Sequence, residues 1–401
     1  MDRVLLAVER NGLAEDMAAK LGILQALPAY SEVLLLRDEA LNGAPLWKRL
    51  GEGGALELPT LKLLENRARW FDPESGTAWM QDLGEGAGGV MFLGVKGREH
   101  RESLLRLGVR AIEHPLPLDG GNVSLARNRI GQKIVFIGER EFENARKALV
   151  KDGVAATDAM VRDAYRLTFS ADRVVVLPTM GVDHVDQTVL FLGDGRAVTE
   201  RLPELSESEV ALVNDYELAL AQAPVGENME YVDAFDEHYR GDTAEVVSRT
   251  HAGVRQVIAR NPQLLLPNTV AARYKLNRAR QPDFQDLVYT REFEALRIET
   301  EKRLRECDFE ILHLETSIRA RLNRQYYVNA MPFRDRATGK STLLLPVYAT
   351  AGQSAPMSAE VSQSGLNQRN IARLEQMGYV VKTVPGQYLR GGSTHCSIYQ
   401  F

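Results

Sequence analysis

A chain of 401 residues with 44 % hydrophobic and 26 % charged side chains can bury one large core or two ordinary ones, which excludes a disordered or low-complexity protein. A net charge of −5 gives no electrostatic reason to expect nucleic acid or an anionic membrane as partner. Two cysteines exclude a disulfide framework, and no stretch approaches the roughly 18 apolar residues of a membrane span.

The apolar run Val4–Val8 is too short for a signal peptide and reads as a strand. With so few cysteines, the expected compartment is reducing and cytoplasmic. Ala14–Leu27 has helical spacing and stops at Pro28, and Val33–Leu36 is a second strand. Gly51–Gly54 reads as a loop, Leu61–Trp70 as helical and Phe71–Gly89 as irregular. Val90–Val95 is a strand and Arg98–Leu107 a short helix. Val109–Ala126 is extended, Lys133–Gly138 a strand, and Glu141–Val150 and Ala156–Phe169 are helices. Strands follow at Arg173–Pro178 and Gln187–Leu192, and Gly193-Asp194-Gly195 is a hairpin turn signal.

Residues 206–325 lack strand signals and are denser in charge. Helices are expected at Glu207–Ala221, Thr243–Ala259 and Glu292–Leu322, the last with a solvated face. This block reads as a helical insertion within one domain of residues 1–401, a candidate cap over a site. The β/α pattern then resumes. Tyr326–Ala330 and Ser341–Tyr348 are strands around the turn Ala337–Lys340, Asn367–Met377 is a helix, and Tyr379–Val384 and Gly391–Tyr399 are strands. The class is mixed α/β, with no clean sequence repeat.

Two glycine patterns resemble phosphate-binding motifs and fail on context. G-E-G-A-G-G at Gly84–Gly89 follows an irregular segment and runs into a strand, so it reads as a flexible loop. T-G-K-S-T at Thr338–Thr342 has Arg334 where that motif needs glycine, so it reads as a hairpin turn.

Four short motifs carry chemistry-bearing residues: Trp79-Met80-Gln81-Asp82, Asp119-Gly120-Gly121-Asn122, His184-Val185-Asp186 and Gly391-Gly392-Ser393-Thr394-His395-Cys396. Along a strand, positions i and i+2 share a side, so His184 and Asp186 would face one pocket. Cys396 lies where two glycines let a ligand or another backbone approach. A cysteine with a distant histidine and carboxylates is a nucleophile constellation that only the fold can assemble. Taken singly, each motif also fits a structural role: a turn aspartate, a strand edge, a buried thiol. On the same strand argument His395 points away from its neighbour Cys396 and is assigned to structure. Cys307 is assigned to packing, and His100, His114, His238, His251 and His313 show no partner pattern.

In order and local sequence the four motifs resemble the guanidino-group-modifying enzymes of the pentein fold, which include agmatine, arginine and protein-arginine deiminases and the amidinotransferases. The family pattern is W-x-x-D, an acid before Gly-Gly, H-x-D and a C-terminal H-C. The stretch from Tyr326 to Cys396 looks most like agmatine deiminase, whereas W-M-Q-D and H-V-D-Q also resemble protein-arginine deiminases. The departures are Asp119 where agmatine and arginine deiminases usually carry Glu, and W-M-Q-D-L-G-E where agmatine deiminases carry W-x-R-D-x-G-P.

The resemblance implies a five-bladed α/β propeller of ββαβ-type modules, with the helical insertion before the last module. It implies a deiminase in which Cys396 attacks a guanidinium carbon and His184 moves protons. Asp82 and Asp186 would grip the guanidinium, with Asp119, Trp79 and Gly392 lining the site. The implied substrate is a small-molecule guanidine or an arginine-containing peptide, and no cofactor is implied. The alternatives are an amidinotransferase, a non-catalytic binding pentein, and a metal site at His184, Asp186, Asp119 and Cys396. The last is disfavoured because H-x-D lacks a second histidine. The oligomeric state, a homo-oligomer included, stays open.

Overall fold

The computed structural model describes residues 3–8, 14–28, 31–37, 68–71, 84–87, 89–95, 97–106, 108–179, 184–202, 282–316, 325–348, 363–385, 395 and 398–400. The loop expected at Gly51–Gly54, the helices expected at Glu207–Ala221 and Thr243–Ala259, and Trp79, Asp82, Gly392 and Cys396 lie outside them.

The described strands form five small sheets. In the second, β4 (Gly84–Ala87) pairs antiparallel with β5 (Val90–Leu93). Helix α2 (Arg101–Arg106) then leads to β6 (Ala111–Glu113), parallel on the other side of β5. The third repeats this with β7 (Val123–Arg127), β8 (Lys133–Gly138), helices α3 (Glu139–Lys151) and α4 (Asp158–Thr168), and β9 (Arg173–Leu177). The fourth has β10 (Val189–Phe191), β11 (Arg196–Arg201), helix α5 (Pro282–Arg305) and β12 (Glu310–Glu315).

The fifth has β13 (Met331–Arg334), β14 (Ser341–Val347), helix α6 (Gln363–Gln376) and β15 (Val380–Pro385). In the first sheet, β1 (Arg3–Val8) is followed by helix α1 (Ala14–Ala26) and the parallel strands β2 (Glu32–Arg37) and β3 (Ala68–Phe71). Its antiparallel partner is the chain's last strand, β16 (Ile398–Gln400). The ββαβ unit thus recurs in structure without recurring in sequence. A hairpin needs only a tight turn, whereas a parallel third strand needs the helical crossover.

Burial explains why β8 reads as an unbroken apolar run. Val135 and Ile137 face Phe142, Val161 and Tyr165 of α3 and α4. Ile134 and Phe136 face Val189, Leu304 and Phe309 on the opposite side. A strand covered on both faces has no polar alternation. Cys307 is buried beside Leu304 and Phe309, and burial pushes its thiol up, as expected of a packing residue.

The structure corrects several expected elements. Residues 68–71 are strand β3 rather than the end of a helix, because the edge of β2 pairs with them. Gly84–Ala87, read as a flexible loop, is strand β4, with ladder pairing supplying what a glycine-rich sequence cannot signal. The helix expected to reach Leu322 ends at Arg305. The chain turns at Asp308, with φ of 61°, into β12, which lies inside the block read as helical. Tyr326–Ala330 is a buried turn rather than a strand. Its backbone is satisfied by side chains: the Tyr326 N–H and carbonyl both bond the Tyr348 hydroxyl, and the Val328 N–H donates to Glu200 Oε1 at 3.0 Å. T-G-K-S-T does close the β13–β14 hairpin, with Gly339 at φ of 68°.

The chain divides into two compact units: residues 1–200, 299–314 and 324–401, and residues 201–298 with 315–323. In the second, the Thr316 N–H donates to the Arg201 carbonyl, and Arg297 pairs with Glu294 at 2.7 Å. No described helix is long and apolar enough to cross a membrane.

Candidate active site

The residues of the candidate site lie in or just before the first strand of an antiparallel pair. Asp119 precedes a one-turn 3-10 helix, Gly120–Asn122, that leads into β7. His184 caps a second such turn, Val185–Gln187, that leads towards β10. Asn329 lies two residues before β13, His395 three residues before β16, and Glu85 within β4. Asp82 is two residues before β4 in the sequence, and Cys396 follows His395.

His184 and Asp186 are therefore not on a strand, and the pleat does not align them. The turn does so instead. The His184 N–H donates to Gln187 Oε1 at 3.1 Å, and the Gln187 N–H to the His184 carbonyl at 3.1 Å. Both side chains reach towards Gly121: a Cβ placed there would lie 2.6 Å from His184 Nδ1 and 3.5 Å from Asp186 Oδ1. Glycine is what lets the histidine come this close. On the other side of its ring, His184 Nε2 is 3.7 Å from Asp119 Oδ2. Asp119 thus meets the imidazole, and Asp186 approaches the same glycine as the ring.

Asp186 is almost fully buried. Asn329 Nδ2 donates to its Oδ2 at 3.0 Å and to its carbonyl at 3.3 Å. His395 Nδ1 lies 3.1 Å from the same Oδ2, and the His395 N–H donates to the Asn329 carbonyl at 3.1 Å. Asn329 thereby ties the H-x-D turn to the C-terminal motif. This changes the reading of His395. It is not on a strand, so the alternation argument does not apply, and its ring meets a site carboxylate.

Two carboxyls that the sequence did not signal also belong here. Glu141, in the first turn of α3, accepts hydrogen bonds from the Asp119 N–H and from Asn144. Burial, then the charge of Asp119, pushes it up to about 7. Glu85 accepts the Gly86 N–H at 3.0 Å, and burial, with Asp186 adding to it, pushes it up to about 8. Glu141 falls in a helix of ordinary amphipathic pattern and in no motif, and Glu85 in the G-E-G-A-G-G run read as a loop. Asn329 was visible only as part of a run read as strand. Among the described residues no group of three His, Cys, Asp or Glu side chains is arranged to hold a metal ion.

The raised carboxyl of Glu85 has a consequence for stability. Below about pH 4.5 both folded and unfolded chains keep its proton. Between there and about 8 only the folded chain does, so folding loses stability as pH rises through that window. Glu85→Gln is expected to leave the unfolding free energy at pH 4 unchanged and to raise it by about 2 kcal/mol or more at pH 9, measured by urea melts. An equal change at both pH values would show that the carboxyl is not buried in its neutral form.

No protein-family model and no curated protein matches the chain. Solved structures do. One, provisionally named an agmatine deiminase, matches with a TM-score of 0.51 over 100 % of this chain and 92 % of its own, at 11 % identity. Another, provisionally named an arginine deiminase and from Porphyromonas gingivalis, gives 0.49 over 100 % and 95 %, at 12 % identity. DDAH from Pseudomonas aeruginosa, a mutant complexed with citrulline, gives 0.41 over 100 % and 99 %, at 10 % identity. At such identities the likeness is one of fold, and the chain shares the fold of the first of these structures.

Proposed function

We propose that this protein is a guanidino-group-modifying hydrolase, a deiminase that converts a guanidine to a ureido group and ammonia. The observation that carries the reading is the convergence of Asp119, His184 and Asp186 at Gly121, with the residue before Cys396 held on Asp186. The fold shared with a structure named as an agmatine deiminase supports it. So does the order of the four motifs. In this reading the five sheets are the modules of a closed propeller, and the part of residues 206–325 that precedes α5 acts as a substrate-selecting insertion.

A guanidinium is planar, cationic and a poor electrophile. Asp186 and Asp82 accept its N–H groups and fix its carbon for attack. The Cys396 thiolate forms a C–S bond to that carbon. The tetrahedral adduct collapses by breaking one C–N bond, and His184 supplies the proton with which ammonia leaves. The thiouronium that remains is attacked by water, which gives a proton back to His184. The C–S bond then breaks, releasing the ureido product and the thiolate. Asp119, 3.7 Å from the imidazole Nε2, orients the ring. Carboxylates disfavour a thiolate nearby, so the cationic substrate and protonated His184 must offset them.

The test is release of ammonia and ureido product from a panel of agmatine, free arginine, a blocked arginine peptide, an arginine-containing protein and simple guanidines. One of these is expected to turn over and so to define whether the pocket demands an amine, a carboxylate or a peptide. No turnover with water, but amidino transfer when amines are added, would overturn hydrolysis in favour of a transferase.

A further inference from the structure

Glu141 has no part in the guanidine chemistry proposed above, yet its buried carboxyl accepts the Asp119 N–H and feels the charges of Asp119 and His184. One edge of the carboxyl is occupied by the Asp119 N–H and Asn144. Its Oε1 has no hydrogen-bond partner among the described residues. The other titratable groups that it faces are Asp119, His184 and, from α4, Tyr165, whose hydroxyl donates to the Pro117 carbonyl at 2.6 Å. A buried carboxyl beside another carboxyl costs stability.

We propose that Glu141 is a positioning residue for this site: its carboxyl fixes the backbone that presents Asp119 and sets, through its own charge, how firmly His184 holds a proton. In its neutral form Glu141 anchors the Asp119 N–H and adds no charge. Burial and Asp119 place its ionisation near neutrality, at about 7. Once ionised it repels Asp119 and attracts a proton on His184. The acid form of the histidine is then held more firmly just where a leaving amine must be protonated. The inference rests on the reading of His184 as the proton carrier, so it is tested without turnover.

The measurement is the NMR titration of His184 in full-length protein carrying labelled histidine, with the signal assigned by its loss in His184→Ala. Glu141→Gln keeps an acceptor oxygen for the Asp119 N–H and removes the charge. It is expected to move the His184 protonation midpoint down by about half a pH unit or more and to turn a two-step titration into one step. An unchanged midpoint in a folded variant overturns the proposal. If Glu141→Gln does not fold, Asn144→Ala serves instead. It removes a donor to the carboxyl and is expected to move the step that belongs to Glu141 to higher pH, and an unmoved step is equally fatal. A shifted midpoint in a protein inactive on every guanidine would sink the deiminase reading and leave this inference standing. Guanidine turnover with no shift would do the reverse.

Discussion

Cys396→Ala is expected to reduce ammonia release to background, a loss of about 10⁴-fold or more in kcat, with substrate binding retained. The size of the effect follows from the chemistry. Carboxylates and a histidine can hold and protonate a guanidinium, but only a nucleophile opens the route through a covalent intermediate. No second thiol can substitute. Cys307 is the only other cysteine, and its thiol is buried with its ionisation pushed up. Mass spectrometry of parent protein quenched during turnover should show an amidino adduct on Cys396. His184→Ala should slow both formation and loss of that adduct, since the leaving ammonia then lacks its acid and the attacking water its base. Alkylation of Cys396 is expected to be faster with a guanidinium ligand bound and slower in His184→Ala. Near-parent turnover by Cys396→Ala would remove the covalent mechanism altogether.

Gly121→Ala is expected to cost about 10²-fold in kcat/KM while leaving the protein folded. The new methyl would stand 2.6 Å from His184 Nδ1 and must displace the ring. The histidine has little room to yield. Its backbone is bound at both ends of the turn by Gln187, and Asp119 lies 3.7 Å from its far nitrogen. Overpacking of this kind costs about 1–3 kcal/mol of stability, so a modest fall in melting temperature should accompany the larger fall in activity. Full activity in Gly121→Ala would mean that the approach of His184 to Gly121 is not the working geometry.

The sequence made the individual motifs legible because each is a local statement: an acid before two glycines, H-x-D, and a glycine-preceded H-C. It also made β8, α3 and α4 legible, since their burial is periodic or continuous along the chain. It failed where a neighbour decides the state of a segment. β3 and β4 are strands because β2 and β5 pair with them. Tyr326–Ala330 is apolar like a strand, yet its polar backbone is satisfied by Tyr348 and Glu200, which are remote in sequence.

The same division runs through the candidate site. The sequence by itself determined which residue types stand ready: Asp119, His184, Asp186 and Cys396, in an order that resembles the guanidino-group-modifying enzymes. Only the tertiary structure decided that Asn329 and His395 close on Asp186, that a 3-10 turn rather than a pleat aims His184, and that Glu141 joins Asp119 and Glu85 comes near Asp186. The physical reason is that a side chain's chemistry belongs to its residue, whereas its charge state and reach are set by burial and by contacts across as many as 209 positions of chain.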